Sequence, residues 1–115
     1  MEVVNIIPAF NALGNATRFA AFRLLIQAGP QGLVAGELSA RLGVVPNTLS
    51  NHLGILTTAR LVTATRSGRF VCYAADLASF RDLMTWLTLN CCASRPKLCA
   101  PPLSETLFSH GGRDD

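Results

Sequence analysis

The stretch "GELSARLGVVPNTLSNHLGIL", residues 36 to 56, decides the fold. It begins inside "VAGELSARLG" (residues 34–43), which predicts a short helix ended by Gly43. Pro46 is suited to the first turn of a new helix, which we expect over residues 46–61. Two helices joined by a turn at residues 43–45 are typical of a helix-turn-helix.

The second of these helices has an apolar and a polar side. Its leucines at 49, 53 and 56 recur at helical spacing and are predicted to point inward. The polar residues left on the outer side near its N-terminus are Asn47, Thr48, Asn51 and His52. Asparagine can pair bidentately with adenine and threonine offers a hydroxyl and a methyl group, so these residues suit readout of base edges in the major groove. A merely solvated helix face is the alternative, and His52 alone would more often be an ordinary surface histidine.

A basic hairpin is predicted directly after this helix. Residues 62–66 and 69–75 have strand-like composition, and Ser67-Gly68 supplies the expected turn. Arg66 and Arg69 flank that turn and would reach phosphates beside the groove. The net charge is only +3, but no acidic residue lies between Glu37 and Asp76, an interval that holds four arginines. The middle of the chain is therefore suited to face a polyanion.

Three further helices complete the prediction. One spans residues 3–13, a second spans residues 16–28 with Asn15 as its N-cap, and the last follows Asp76 as its cap over residues 77–90. We expect Phe19, Phe22, Leu25 and Ile26 to form the core face of the second helix, and Trp86 to contribute to core or dimer packing. The predicted class is mainly α with a small β-hairpin wing (α+β), as one winged helix-turn-helix domain over residues 1–90 and a partly flexible cysteine-bearing tail over residues 91–115.

Length and composition are those of a single globular domain. The chain has 115 residues, half of them hydrophobic, which is enough for a core without disulfides. We expect a cytoplasmic protein, because the N-terminus shows neither a signal peptide nor a membrane helix. Four cysteines in such a protein favour reduced thiols that bind a metal or sense oxidants.

The order of the predicted elements and several stretches of the sequence resemble the ArsR/SmtB family of metalloid- and metal-responsive repressors. The resemblance covers roughly residues 5–90 and is carried by "ALGNATRFAAFRLL" (12–25), residues 36–56 and "ARLVTATRSGRFVCYA" (59–74). It implies a homodimer, paired through its first and last helices, that binds a pseudo-palindromic operator and leaves it when an ion binds. By this likeness the recognition positions are Asn47, Thr48, Ser50, Asn51 and His52, and the wing positions are Arg66 and Arg69.

Two inducer sites common in that family are absent from this sequence. The helix before the recognition helix reads "LVAGEL" (33–38), without the cysteine pair of many arsenic-responsive members. The last helix has no histidine, unlike that of zinc-responsive members. Val45 replaces the small polar cap usual before the recognition helix, which affects only the local cap.

Three tail cysteines remain as the candidate inducer site: Cys91, Cys92 and Cys99. Thiolates select soft centres, and trivalent arsenic or antimony takes three ligands in a pyramid. A closed zinc site would need a fourth ligand, for which the nearby candidate is His110. Some ArsR-type repressors carry a cysteine pair and a third cysteine after the last helix, and "NCC" followed by "C" resembles that arrangement. The expected inducer is arsenite, with antimonite and methylarsenite as further candidates.

Other roles for these thiols stay open. A disulfide from Cys99 to Cys91 or Cys92 would make the protein a redox sensor, and zinc binding would make it a zinc-responsive regulator. A thiol enzyme is disfavoured because the chain lacks a CxxC motif and an acid/base pair near the thiols. Cys72, within "FVCYA", is expected to be a small packed residue.

Overall fold

A computed structural model of the protein describes residues 3–89. In this range the helices and strands follow one another in the order α1 (Val3–Leu13), α2 (Ala16–Ala28), β1 (Leu33–Val34), α3 (Ala35–Leu42), α4 (Pro46–Thr58), β2 (Val62–Ser67), β3 (Phe70–Ala75) and α5 (Leu77–Leu87). The prediction of a mainly helical fold with a β-hairpin wing is confirmed. No helix among the described residues is long and apolar enough to cross a membrane.

Side-chain caps start two of the helices, as their sequences predict. The Asn15 side chain accepts hydrogen bonds from the amides of Thr17 (2.9 Å) and Arg18 (3.1 Å) at the start of α2. Asp76 accepts from the amide of Ser79 at 3.1 Å at the start of α5. These bonds satisfy amides that have no partner inside the helix, and each such cap contributes about 1 kcal/mol.

Helix α4 ends three residues earlier than predicted. Arg60 adopts a left-handed conformation (φ 66°), its amide donates to the carbonyl of Thr57 at 3.0 Å, and the amide of Leu61 donates to the carbonyl of Leu56 at 3.1 Å. This is the Schellman pattern, which usually places glycine at the left-handed position. An arginine at this position does not indicate the end of a helix in the sequence, so the predicted helix extends to residue 61.

The sheet has three antiparallel strands in the order β1-β3-β2. The two-residue strand β1 was not predicted; its Leu33 pairs with Tyr73 of β3. The hairpin turn lies at Gly68 and Arg69, one residue later than predicted, because Ser67 pairs with Phe70. Gly68 takes a positive φ (61°) as the first central residue, which is the type II′ pattern. Arg69 therefore lies at the tip of the wing itself.

The core lies between the helices and one side of the sheet. Its fully buried large side chains come from α2, α3, α4, β2 and α5 and from the segment before β2: Phe22, Leu25, Leu38, Leu49, Leu53, Leu56, Leu61, Val62 and Leu83. Each such residue contributes roughly 1.5 to 3 kcal/mol by leaving water. The rings of Phe22 and Phe80 lie 5.4 Å apart at 60°, which joins α2 to α5. The prediction that Phe19 belongs to the core face is wrong, since 51% of it is exposed.

Candidate nucleic-acid interface

The N-terminal half of α4 presents a polar surface, because packing fixes which side of the helix faces inward. Leu49, Leu53 and Leu56 are at most 1% exposed. The side chains left on the solvent side at the start of the helix are Asn47, Thr48, Ser50 and Asn51, all exposed. Four of the five predicted recognition residues therefore lie together on an accessible helix surface.

Hydrogen bonds from Gly43 and Ser39 stabilise the turn before α4, and no side chain caps the N-terminus of α4. Gly43 adopts φ 66°, and its amide donates to the carbonyl of Ser39 at 2.9 Å. The hydroxyl of Ser39 donates to the carbonyl of Val44 at 2.5 Å. Val45 occupies the N-cap position and makes no side-chain hydrogen bond there, as its sequence predicts. Pro46 occupies the first turn, where a missing amide hydrogen costs nothing.

The wing arginines lie at different positions of the hairpin. Arg66 is on β2 opposite Val71, whereas Arg69 is in the turn, and both are exposed. A groove of about 380 Å³ separates the wing from α4, and its lining includes Asn47, Ser50, Arg69 and Phe70. The fold thus brings the arginine at the wing tip and two predicted recognition residues to one groove.

His52, the fifth predicted recognition residue, is only half-buried and already has a partner. The Nη1 of Arg18 lies 3.2 Å from its Nδ1. A guanidinium can only donate, so Nδ1 accepts and the ring proton is on Nε2. Arg18 has no signal in the sequence for this role, since the two residues are 34 positions apart. The positive charge of Arg18 does not by itself identify it as the partner of His52.

The cysteines divide into one described residue and three outside the described range. Cys72 is half-buried on β3, and its Sγ donates a hydrogen bond to the carbonyl of Gln31 at 3.2 Å. This environment agrees with a small packed residue. Cys91, Cys92 and Cys99 lie outside the described residues. Within residues 3–89, no group of three or more His, Cys, Asp or Glu side chains is placed to hold a metal ion.

Apolar side chains remain exposed on the first and last helices. On α1 these are Ile7 and Phe10, and on α5 they are Trp86 and Leu87, with exposed fractions between 40% and 64%. Ile7 and Phe10 are three positions apart and so lie on the same side of α1, and exposed apolar patches are typical of interaction sites. Both helices were expected to form the dimer interface.

Comparison with known proteins agrees with this description. A family model described as a helix-turn-helix domain matches residues 13–64. The transcriptional repressor SdpR of Bacillus subtilis is 27% identical over 78 residues, which are 68% of this chain and 83% of SdpR.

Solved structures of transcriptional regulators share the fold. An ArsR-like transcriptional regulator from Rhodococcus sp. RHA1 has a TM-score of 0.68 at 23% identity, covering 91% of this chain and 93% of the other. The homodimeric winged helix-turn-helix DNA-binding domain of Mb0332 from Mycobacterium bovis has a TM-score of 0.61 at 21% identity, covering 98% and 90%.

The antimony-specific transcriptional repressor AntR is similar in sequence as well as in fold. It is 33% identical, with a TM-score of 0.54, and the alignment covers 76% of this chain and 78% of AntR. The prediction of a DNA-binding regulator, and not a thiol enzyme, is confirmed by these relatives. The chain belongs with AntR to a family of helix-turn-helix transcriptional repressors, and it shares the winged fold of ArsR-like regulators.

Proposed function

We propose that this repressor binds its operator as a homodimer and leaves it when trivalent arsenic or antimony binds Cys91, Cys92 and Cys99. The observation that carries the proposal is the combination of an exposed polar recognition surface on α4 with three thiols that begin four residues after α5 ends at Leu87. Arsenite is the first candidate inducer, and antimonite and methylarsenite are further candidates.

The DNA-reading surface consists of α4 and the wing. Asn47, Thr48, Ser50, Asn51 and His52 contact base edges in the major groove, and Arg66 and Arg69 contact the phosphates beside it. The amides of Asn47 and Asn51 suit adenine, and the Nε2 proton of His52 suits a base or phosphate acceptor. Val45, 64% exposed just before α4, adds an apolar surface suited to a thymine methyl group.

Dimerisation uses the exposed apolar residues of α1 and α5. Burial of Ile7, Phe10, Trp86 and Leu87 against a second copy would remove them from water. The homodimeric state of the Mb0332 domain supports this reading. A dimer holds two α4 helices about one turn of DNA apart, which matches a pseudo-palindromic operator.

The inducer step uses the chemistry of the thiols. When three thiols replace the three hydroxyls of arsenous acid, three As–S bonds form and three water molecules leave. Arg95 and Lys97 lie between the cysteines in sequence and favour the thiolate form. The specificity of AntR for antimony supports an inducer of this class. Ion capture next to the dimer helix α5 changes the relative orientation of the two DNA-reading units, and the linkage typical of such systems is roughly 1 to 3 kcal/mol.

DNA recognition is tested by fluorescence anisotropy on the upstream promoter DNA of its own gene and on a scrambled duplex. Asn51→Ala should weaken promoter binding by roughly 1 to 3 kcal/mol and reduce the preference for the promoter. Gln27→Ala is the matched control, because Gln27 is an exposed amide residue on α2 and is not part of the proposed DNA-reading surface of α4 and the wing. Equal binding of the two duplexes by the wild type would contradict the proposal.

Metalloid binding is tested separately, by the ultraviolet absorption of arsenic–thiolate bonds during titration with arsenite. Wild type and Cys72→Ser should bind one ion for each set of three tail cysteines. The triple variant Cys91→Ser, Cys92→Ser and Cys99→Ser should bind none. Unchanged binding by the triple variant would contradict the assignment.

Two other roles for the tail cysteines use the same variants. A redox sensor would release DNA on peroxide treatment without any metalloid, through a disulfide from Cys99 to Cys91 or Cys92. A zinc-responsive regulator would release DNA on addition of Zn²⁺ under reducing conditions.

A further inference from the structure

The Arg18 side chain joins two helices that are far apart in sequence. Its Nε donates to the carbonyl of Ala12 at 2.6 Å, and its Nη2 donates to the carbonyl of Asn11 at 3.5 Å, both in the last turn of α1. Its Nη1 donates to Nδ1 of His52 on α4 at 3.2 Å. One planar cation thus contacts the end of α1 and the middle of the recognition helix.

The chemistry of these contacts makes the arrangement well defined. The last carbonyls of a helix have no partner inside it and carry partial negative charge, so a guanidinium is favoured there. Arg18 is itself in the first turn of α2, and its backbone amide donates a hydrogen bond to the side chain of the N-cap residue Asn15. Backbone hydrogen bonding at both helix ends therefore limits where the guanidinium can lie relative to His52.

Helices α1 and α4 also meet in the core, where Ala9 and Ala12 of α1 share one buried cluster with Leu53 and Leu56 of α4. A groove of about 590 Å³ lies between the two helices, and its lining includes Pro8, Asn11, Asn51 and Gly54. Arg18 lines the same groove. Arg18 therefore contacts both helices beside the surface groove that lies between them, in addition to their packing in the core.

We propose that Arg18 is a positioning residue that couples the position of α1 to the orientation of α4, through its hydrogen bond to His52. A shift of α1 at the dimer interface would then change how α4 enters the groove of DNA. This inference rests on the proposed function, in which α1 forms part of the dimer interface and α4 reads the operator.

A double-mutant cycle on the full chain tests the coupling. Arg18→Gln is measured by anisotropy on promoter and scrambled DNA in three backgrounds: His52 unchanged, His52→Asn and His52→Leu. Asparagine retains an acceptor close to the position of Nδ1, whereas leucine has none. Light scattering confirms that every variant has the oligomeric state of the wild type.

Arg18→Gln should weaken promoter binding roughly tenfold where residue 52 is His or Asn, as expected for a lost charge-assisted hydrogen bond. In the His52→Leu background the same change should have less than a twofold effect, because the bond is already absent. A purely structural role for Arg18 predicts the same loss in all three backgrounds, and that result would overturn the proposal.

Hydrogen exchange of the DNA-free protein separates this proposal from the proposed function. Amides of residues 49–53 should exchange at least about threefold faster in Arg18→Gln and in His52→Leu than in the wild type or in His52→Asn. Unchanged exchange in these residues would overturn the coupling even if the protein binds its promoter. Failure of the wild type to prefer promoter DNA would instead overturn the proposed function, and the exchange result would still decide the role of Arg18.

Discussion

Gly32 passes so close to the backbone of Tyr73 that no side chain fits between them. A Cβ atom built on Gly32 would lie 2.0 Å from the carbonyl oxygen of Tyr73. Gly32 also has a φ of +67°, which glycine adopts without steric cost. This contact lies beside the pairing of Leu33 with Tyr73, so it sets how the segment after α2 joins the sheet.

Gly32→Ala should lower the free energy of unfolding by about 3 kcal/mol or more, because left-handed strain adds to a clash with backbone that cannot move aside. Urea unfolding at fixed protein concentration measures this change. Gly54→Ala is the matched control, since a Cβ there meets nothing within 4 Å and the residue lies inside α4. That variant should be more stable by up to about 1 kcal/mol. Similar losses in both variants would contradict the account of Gly32.

Asn15 starts α2 through two hydrogen bonds to its side chain. Asn15→Ala should lower the free energy of unfolding by about 1 to 2 kcal/mol, because it leaves the amides of Thr17 and Arg18 without that acceptor. Asn15→Asp retains an acceptor and should keep most of the stability, with a further contribution from a negative charge at a helix N-terminus. The same urea experiment compares the two variants. A loss in Asn15→Asp equal to that in Asn15→Ala would show that the cap is not the cause.

The wing arginines should account for part of the salt dependence of DNA binding. Each phosphate contact contributes about 0.9 to the slope of log Kd against log salt concentration, so Arg66→Gln with Arg69→Gln should reduce the slope by roughly 2 per subunit. The double variant should lose affinity for promoter and scrambled DNA alike. Arg23→Gln, a change of the same type at an exposed position on α2, should leave the slope nearly unchanged. An equal effect at Arg23 would indicate general charge attraction and no specific wing contact.

Those parts of the fold with local chemical signals were predicted from the sequence. Asn15, Asp76, Pro46 and Gly43 act at helix ends through their own side chains or backbone preferences, and the structure confirms each of them. The regular spacing of Leu49, Leu53 and Leu56 likewise gave the buried side of α4.

The features that were missed depend on contacts between distant residues or on unusual backbone conformations. Strand β1 has only two residues and is a strand because it pairs with β3. Two residues are too few to show the alternation of apolar and polar residues by which a strand is predicted from sequence. The end of α4 uses a left-handed Arg60, and the turn begins one residue later because Gly68 is its first central residue. The contact of Arg18 with His52 follows from tertiary packing alone.

Operator release is the most direct test of the central claim, that the tail thiols control DNA binding. The promoter complex of the wild type and of the triple variant Cys91→Ser, Cys92→Ser and Cys99→Ser is titrated with arsenite under reducing conditions, and anisotropy is followed. We predict that arsenite weakens wild-type binding at least about tenfold, the upper part of the usual coupling range, while the triple variant stays bound. A wild-type complex that remains intact in arsenite and in antimonite, or a triple variant that dissociates like the wild type, would contradict the account.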